Sequence, residues 1–254
     1  MKIIKIILFL SLGICREVEF KEIQLSGLIT DKKQEISGLE WYQDNLVLLP
    51  ENLGGFVYMI SKERIKKQLR SYKPEPIEPR QVSFKTADYS KIIPGFQGFE
   101  AIAFKNEFVA ITLEAKNDKE MHGYYAWGTI NPESFEIMIP EKNLLELPVP
   151  VQVKNFTFES LLIHEEKAIV YFEANGRNLR ENAWQYTVSL ADQKVEKIEH
   201  PFIEYRINDV TRLDRFKKFW AINYLWPGDR KLLKPANDAV FEHYRKGLSH
   251  SKID

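Results

Sequence analysis

The sequence predicts an all-β fold: a β-propeller of four recognisable blades with a short helical tail at its C-terminal end. Three observations carry this. A short acid-led segment recurs four times, each copy reads as a hairpin of buried strands, and proline-marked links separate the copies.

The copies begin Gly38-Leu39-Glu40-Trp41, Gly98-Phe99-Glu100-Ala101, Thr157-Phe158-Glu159-Ser160 and Ile207-Asn208-Asp209-Val210. They run on to a second polar position at Glu51, Glu114, Glu173 and Asn223. The first acids follow one another at 60, 59 and 50 residues, against propeller repeats of about 40 to 50. Within each copy, apolar runs flank a polar turn. Ala101 to Phe104 and Phe108 to Leu113 surround Lys105-Asn106-Glu107, and Leu161 to Ile163 and Ala168 to Phe172 surround His164 to Lys167. Such runs suit buried inner strands.

Third strands are expected at Gly55 to Ser61, Tyr124 to Ile130 and Trp184 to Leu190, all rich in β-branched and aromatic residues. Fourth strands are expected at Gln81 to Lys85, Phe135 to Ile139 and Val195 to Ile198. Prolines 74, 76 and 79, then 148 and 150, mark the links, because proline cannot donate into a ladder. The basic run Lys62 to Tyr72 reads as a short, solvated helix. The fourth copy has no evident partner strands after Tyr224 to Asp229, and helical character returns at Ala239 to Lys246. The ring is therefore expected either to close compactly at four blades or to be a shortened larger propeller, and the second is favoured. Phe20 to Ile29 is the candidate outer strand for the last blade.

The chain has 254 residues with 36 acids and 36 bases, so no basic surplus points to nucleic acid. Residues 1–15 stand apart from residues 16–254, the expected propeller domain. Lys2 and Lys5 precede an apolar run ending at Cys15, the single cysteine. The run is too short to span a bilayer as a helix and fits a signal peptide, with Cys15 placed like the lipid-acceptor cysteine of bacterial lipoproteins. The expected location is the periplasm or a membrane anchored through that lipid alone.

The acid spacing carries the chemistry. Glu100 and Glu114 are 14 residues apart, as are Glu159 and Glu173, and Asp209 and Asn223. Centred on Glu107, Glu166 and Phe216, these pairs are expected to face each other across their hairpins. Glu40 and Glu51 fit with a shorter turn. Inner strands would bring the pairs to one channel mouth, where neighbouring carboxylates raise one another's pKa and need a counter-charge. Calcium, which takes six to eight oxygens, suits an oxygen-only set led by Glu40, Glu100, Glu159 and Asp209, with Glu51, Glu114, Glu173 and Asn223 as a second ring. Arg206, Lys116 and Arg177 are the alternative neutralisers. Solvated strand-end acids at a rim are the structural alternative.

Ser37 to Glu40, Phe99 to Ala103, Phe172 to Gly176 and Asn208 to Val210 with Asp214 resemble the esterase-like-activity-of-phytase family. The resemblance covers roughly residues 34 to 229 and implies a secreted, phytase-like propeller, with calcium-dependent hydrolysis of a phosphoester or ester as one activity. A calcium-stabilised propeller that binds a small-molecule, phosphorylated or protein ligand without catalysis is the other reading. No nucleophile elbow surrounds Ser26, Ser37 or Ser160, and His164 falls in a turn. No catalytic residue is assigned: His200 reads as a surface or linker histidine, with a general base near Arg206 as the alternative.

Overall fold

The computed structural model describes residues 21–52 and 54–237. Blade 1 comprises β1 (Ile36–Tyr42), β2 (Asn45–Pro50), β3 (Gly55–Ser61) and, after helix α1 (Lys62–Arg70), β4 (Arg80–Lys85). Helix α2 (Tyr89–Ile92) leads into blade 2: β5 (Phe96–Lys105), β6 (Phe108–Asn117) and β7 (Glu120–Ile130), whose outer edge takes both β8 (Ile137–Met138) and β9 (Leu144–Leu147). Blade 3 is β10 (Ser160–His164), β11 (Lys167–Tyr171), β12 (Trp184–Ser189) and β13 (Val195–Glu199). Blade 4 holds two strands among the described residues, β14 (Arg206–Val210) and β15 (Ala221–Tyr224), before the short helix α3 (Arg230–Leu233). Strands lie in sequence order within each blade and pair antiparallel, while β4 pairs parallel with β8 and joins the outer parts of blades 1 and 2.

The chain is a β-propeller. Its inner strands pack side by side in order, β1 on β5, β5 on β10 and β10 on β14. An ion pair between Arg212, just after β14, and Glu40 on β1 carries the circuit back to the first blade. The core lies between blades. One apolar cluster joins blades 1 and 2 through Val47, Phe84, Phe99 and Ile111, and a second joins blades 2 and 3 through Ala103, Tyr125, Phe158 and Phe172. The cluster between blades 3 and 4 is smaller, built on Leu162, Tyr171, Ile207 and Val210. A strand covered on both faces is a near-continuous apolar run, which is why β6 reads Val109-Ala110-Ile111-Thr112-Leu113 without alternation, the Thr112 hydroxyl being satisfied by the Ala101 N–H.

Two expectations need correction. The stretch proposed as the last blade's outer strand serves blade 1 instead. Leu25 bridges Ile77 in parallel, and Ile23, Leu25 and Ile29 pack with Leu48, Tyr58 and Ile60. The facing pairs of acids are also out of register. The turns hold two residues, with Gln43, Asn106 and Glu165 at positive φ, so Lys105 faces Phe108 and His164 faces Lys167. An even turn moves the pairs of blades 2 and 3 by one residue from the odd-centred expectation, the bulge between Phe99 and Ile102 adds a further residue in blade 2, and another bulge lies between Ile207 and Asp209 in blade 4. Glu40 faces Val47, Glu114 faces Gly98, Asp209 faces Ile222 and Asn223 faces Ile207. Glu159 and Glu173 lie just beyond the ladder, which ends at Ser160 and Tyr171. The signal segment with Cys15, and the tail at Ala239 to Lys246, lie outside the described residues.

Candidate functional site at the channel mouth

The acids nevertheless gather, because they sit at strand ends where blade meets blade. The carbonyls of Glu51 and Glu173, just after second strands, are held by the first strand of the next blade, while Thr157, just before β10, holds side chains of blade 2 and of its own blade. Phe99 N–H donates to the Glu51 carbonyl at 3.1 Å, and Ile207 N–H to the Glu173 carbonyl at 3.0 Å. The Thr157 hydroxyl donates to Glu114 Oε2 at 2.8 Å, and Thr157 N–H donates to Glu173 Oε1 at 2.9 Å. Glycine at position 98 allows the first of these contacts, since a Cβ there would stand 2.6 Å from Glu51 Cγ and 2.9 Å from its carbonyl oxygen. The glycines that lead the first two copies thus have a local cause in close packing of neighbouring inner strands.

The result is a polar hollow of about 740 Å³ lined by Ser37, Glu51, Glu100, Glu114, Glu159, Arg206 and Asn208. Arg206 is its base. Its Nε reaches Glu173 Oε2 at 2.5 Å, one terminal nitrogen reaches Glu159 Oε1 at 3.1 Å, and the other reaches Asp229 Oδ2 at 3.4 Å. Its guanidinium lies over the Phe156 ring at 4.7 Å. Burial works against its charge, but Glu173 and Glu159 outweigh this and hold its pKa above the ordinary value. Burial pushes Glu173 well up, with Glu159 adding to the shift and Arg206 opposing it. Glu159 is likewise raised by burial, against Arg206.

Glu100 is different. Its residue is 5% exposed, and among the described residues its carboxyl makes no hydrogen bond or ion pair. Burial raises it well above the carboxylate range, and Glu159, Glu114, Glu51 and Glu173 all push the same way. Burial, then Glu35, Glu159 and Glu114, bring Glu51 to about 7.

The remaining candidates lie elsewhere. Glu40 accepts from Trp41 N–H at 2.5 Å and pairs with Arg212 Nε at 2.8 Å. Asp209, raised to about 6 by burial, feels Glu40 as its charged neighbour. The four first-strand acids therefore form two groups, Glu100 with Glu159 and Glu40 with Asp209. Asn223 is exposed and donates to the carbonyls of Glu204 and Arg206, outside the hollow. Burial raises the Glu114 pKa and Lys116 is the least of the groups that oppose the rise, whereas Arg177 is turned away, over the Phe202 ring at 5.0 Å. His200 lines a separate hollow with Trp184, Lys197 and Phe202. Ser160 is fully buried and donates to the Ile207 carbonyl. Arg212 and Asp229, absent from the sequence reading, complete the charge balance. Neither belongs to the repeat, so spacing gave no signal for them.

Calcium needs six to eight oxygens at about 2.3–2.6 Å. Among the described residues, no three His, Cys, Asp or Glu converge closely enough to hold a metal ion. Arg206 already occupies the place between Glu159 and Glu173.

No family model matches the chain, and neither does any curated protein. Among solved structures it is similar to the β-propeller domain of Nup133 from Vanderwaltozyma polyspora, at 12% identity with a TM-score of 0.44. That match covers 76% of this chain and 54% of the other, so the chain spans about half the length of that structure.

Proposed function

We propose that this chain is a ligand-binding propeller whose acidic channel mouth receives a positively charged organic group. The observation that carries the reading is Glu100, a residue only 5% exposed whose carboxyl makes no hydrogen bond or ion pair among the described residues and which lines a hollow shared with Glu51, Glu114 and Glu159. A buried carboxylate lacking a counter-charge is held as the neutral acid, and an arriving cation is the partner that would let it ionise. An ammonium or guanidinium group satisfies scattered carboxylates through several separate donors, whereas calcium demands convergent ones. A phosphorylated ligand would meet repulsion from the same acids.

The calcium-assisted hydrolase is the second reading. It rests on the family resemblance and on Glu51, whose carboxyl near 7 suits proton transfer at neutral pH. Export through residues 1–15, with lipid on Cys15, belongs to either reading and rests on the charged and apolar pattern of that segment.

Thermal unfolding with spermidine, calcium chloride or sodium phosphate separates these. Spermidine is expected to raise the melting temperature, and Glu100→Gln is expected to abolish that rise. A ligand at a hundredfold excess over its Kd adds about 2.7 kcal/mol to the folded state. A rise with calcium alone, lost in Glu100→Gln, would transfer the site to the metal reading. No response to either cation would defeat both.

A further inference from the structure

We propose that the outer edge of β15 is a docking strand for an acidic, extended peptide of a partner protein, which adds to blade 4 as its third strand. In blades 1 to 3 the second strand is always covered: β2 by β3, β6 by β7 and β11 by β12. In blade 4, β15 pairs with β14 on one side, and no described strand lies on the other. All four of its residues are exposed. Thr211 N–H donates to the Trp220 carbonyl at 2.9 Å, so that pair is hydrogen-bonded to β14. Alternation then turns the N–H and C=O of Ala221 to the open side, where a strand can take them up.

The side chains around this edge state the partner's chemistry. Trp220 is 83% exposed, and Phe216, Ile222 and Trp226 are also more than half exposed. Such a concentration of exposed large apolar groups marks a binding surface rather than ordinary scatter. Basic groups flank it. Arg215, Lys217 and Lys218 sit on the loop that enters β15, all exposed. The nearby acids are already engaged. Asp229 pairs with Arg206, and Asp214 Oδ1 accepts the Phe216 and Lys218 N–H groups at 2.7 and 3.0 Å. The edge thus offers main-chain pairing, apolar contacts and a surplus of positive charge, with Arg215, Lys217 and Lys218 set against Asp214. A strand alternating acidic and apolar residues matches all three, which is recognition by strand addition. Nucleic acid would use the charge and the aromatic rings but not the ladder.

The test uses a fluorescent octapeptide alternating Glu and Val, with a Lys–Val peptide of the same length as control, and the full-length protein. The acidic peptide is expected to bind, more weakly as salt rises. Lys217→Glu with Lys218→Glu is expected to lower its affinity tenfold or more with an unchanged melting temperature. Ala221→Pro is expected to abolish binding, and Trp220→Ala, which leaves the backbone intact, to weaken it if the proline variant does not fold. Equal binding of the Lys–Val peptide, tighter binding of a single-stranded oligonucleotide, or indifference to these variants would overturn the proposal. So would free protein whose amides at residues 220–224 are already as protected from exchange as those of β6. Protection lost on dilution would assign the edge to a second copy, and protection independent of concentration to residues 238–254.

Discussion

Arg206 and Arg212 stand six residues apart, and both neutralise acids of the inner strands, yet they do so in different settings. Arg206 uses its three guanidinium nitrogens on three carboxylates, is 18% exposed, and rests on Phe156. Arg212 uses one nitrogen on Glu40 and is 43% exposed. The difference follows from position. Arg206 opens β14 of blade 4 and takes Glu159 and Glu173 from blade 3 and Asp229 from the turn after β15. Arg212 lies past the end of that strand, on the way to the surface. Like residues on one short segment therefore differ in kind: the first is a buried cross-blade clamp and the second a ring-closing contact at the rim.

The largest expected effect is at the clamp. Arg206→Ala removes the counter-charge from Glu173, which is fully buried, and from Glu159, and breaking a buried network of this sort costs about 3–5 kcal/mol. Arg206→Lys is expected to recover less than half of this, because a compact ammonium cannot reproduce the planar fork. Urea unfolding measures both. A loss for Arg206→Ala no larger than that for Arg212→Ala would erase the distinction between the two sites.

A smaller effect is expected from pH. Glu51 titrates near 7 in the folded chain and near 4.5 when unperturbed, so the folded state binds the extra proton between those values. Stability contributed by this group is therefore full below about 4.5 and lost as pH rises through 7, with a slope of up to about 1.4 kcal/mol per pH unit for one proton. Melting temperatures from pH 4.5 to 7.5 should fall in the wild type and fall less in Glu51→Gln. Stability that rose over this range would mean that the carboxyl is paired rather than isolated. Glu51 would then belong with the clamp, not with the open hollow.

The sequence pattern carries most of the fold and less of the site, for physical reasons. Alternation and apolar runs are local, so β3, β7, β12 and their neighbours fall close to the expected bounds. The gathering of Glu51, Glu100, Glu114 and Glu159 was legible because a repeat places equivalent residues at equivalent points of a ring. Their cross-strand partners were not, because Asn106 and Glu165 at positive φ close two-residue turns and a bulge between Phe99 and Ile102 shifts the blade 2 ladder further. A side-chain pattern does not reveal whether a polar turn holds an odd or an even number of residues. The position of residues 21–29 was also hidden, since Ile23, Leu25 and Ile29 would suit any exposed apolar edge, and only tertiary packing assigns them to blade 1. Arg212 and Asp229 act once in the chain, and a repeat cannot announce a residue that it does not contain.

The smallest expected effect concerns the closing contact. Arg212→Ala leaves Glu40 with the Trp41 N–H bond and with the option of taking up a proton, since burial already raises its pKa. The half-exposed arginine adds only a screened interaction, so the cost at neutral pH should be about 1 kcal/mol. Losing Arg212 moves the folded Glu40 pKa further above its unfolded value. The penalty is therefore present at pH 7 and disappears below about 4.5, where the carboxyl is protonated in both states. The Arg206→Ala penalty should persist in part at pH 4, because contact with Phe156 and three oriented hydrogen bonds are lost along with the charge. A double-mutant cycle of Arg212→Ala with Glu40→Gln, run at both pH values, measures this directly. A coupling near 1 kcal/mol at pH 7 that vanishes at pH 4 fits a rim contact. A coupling of 3 kcal/mol or more that survives acid would make Arg212 a second buried clamp and give the ring two structural locks instead of one.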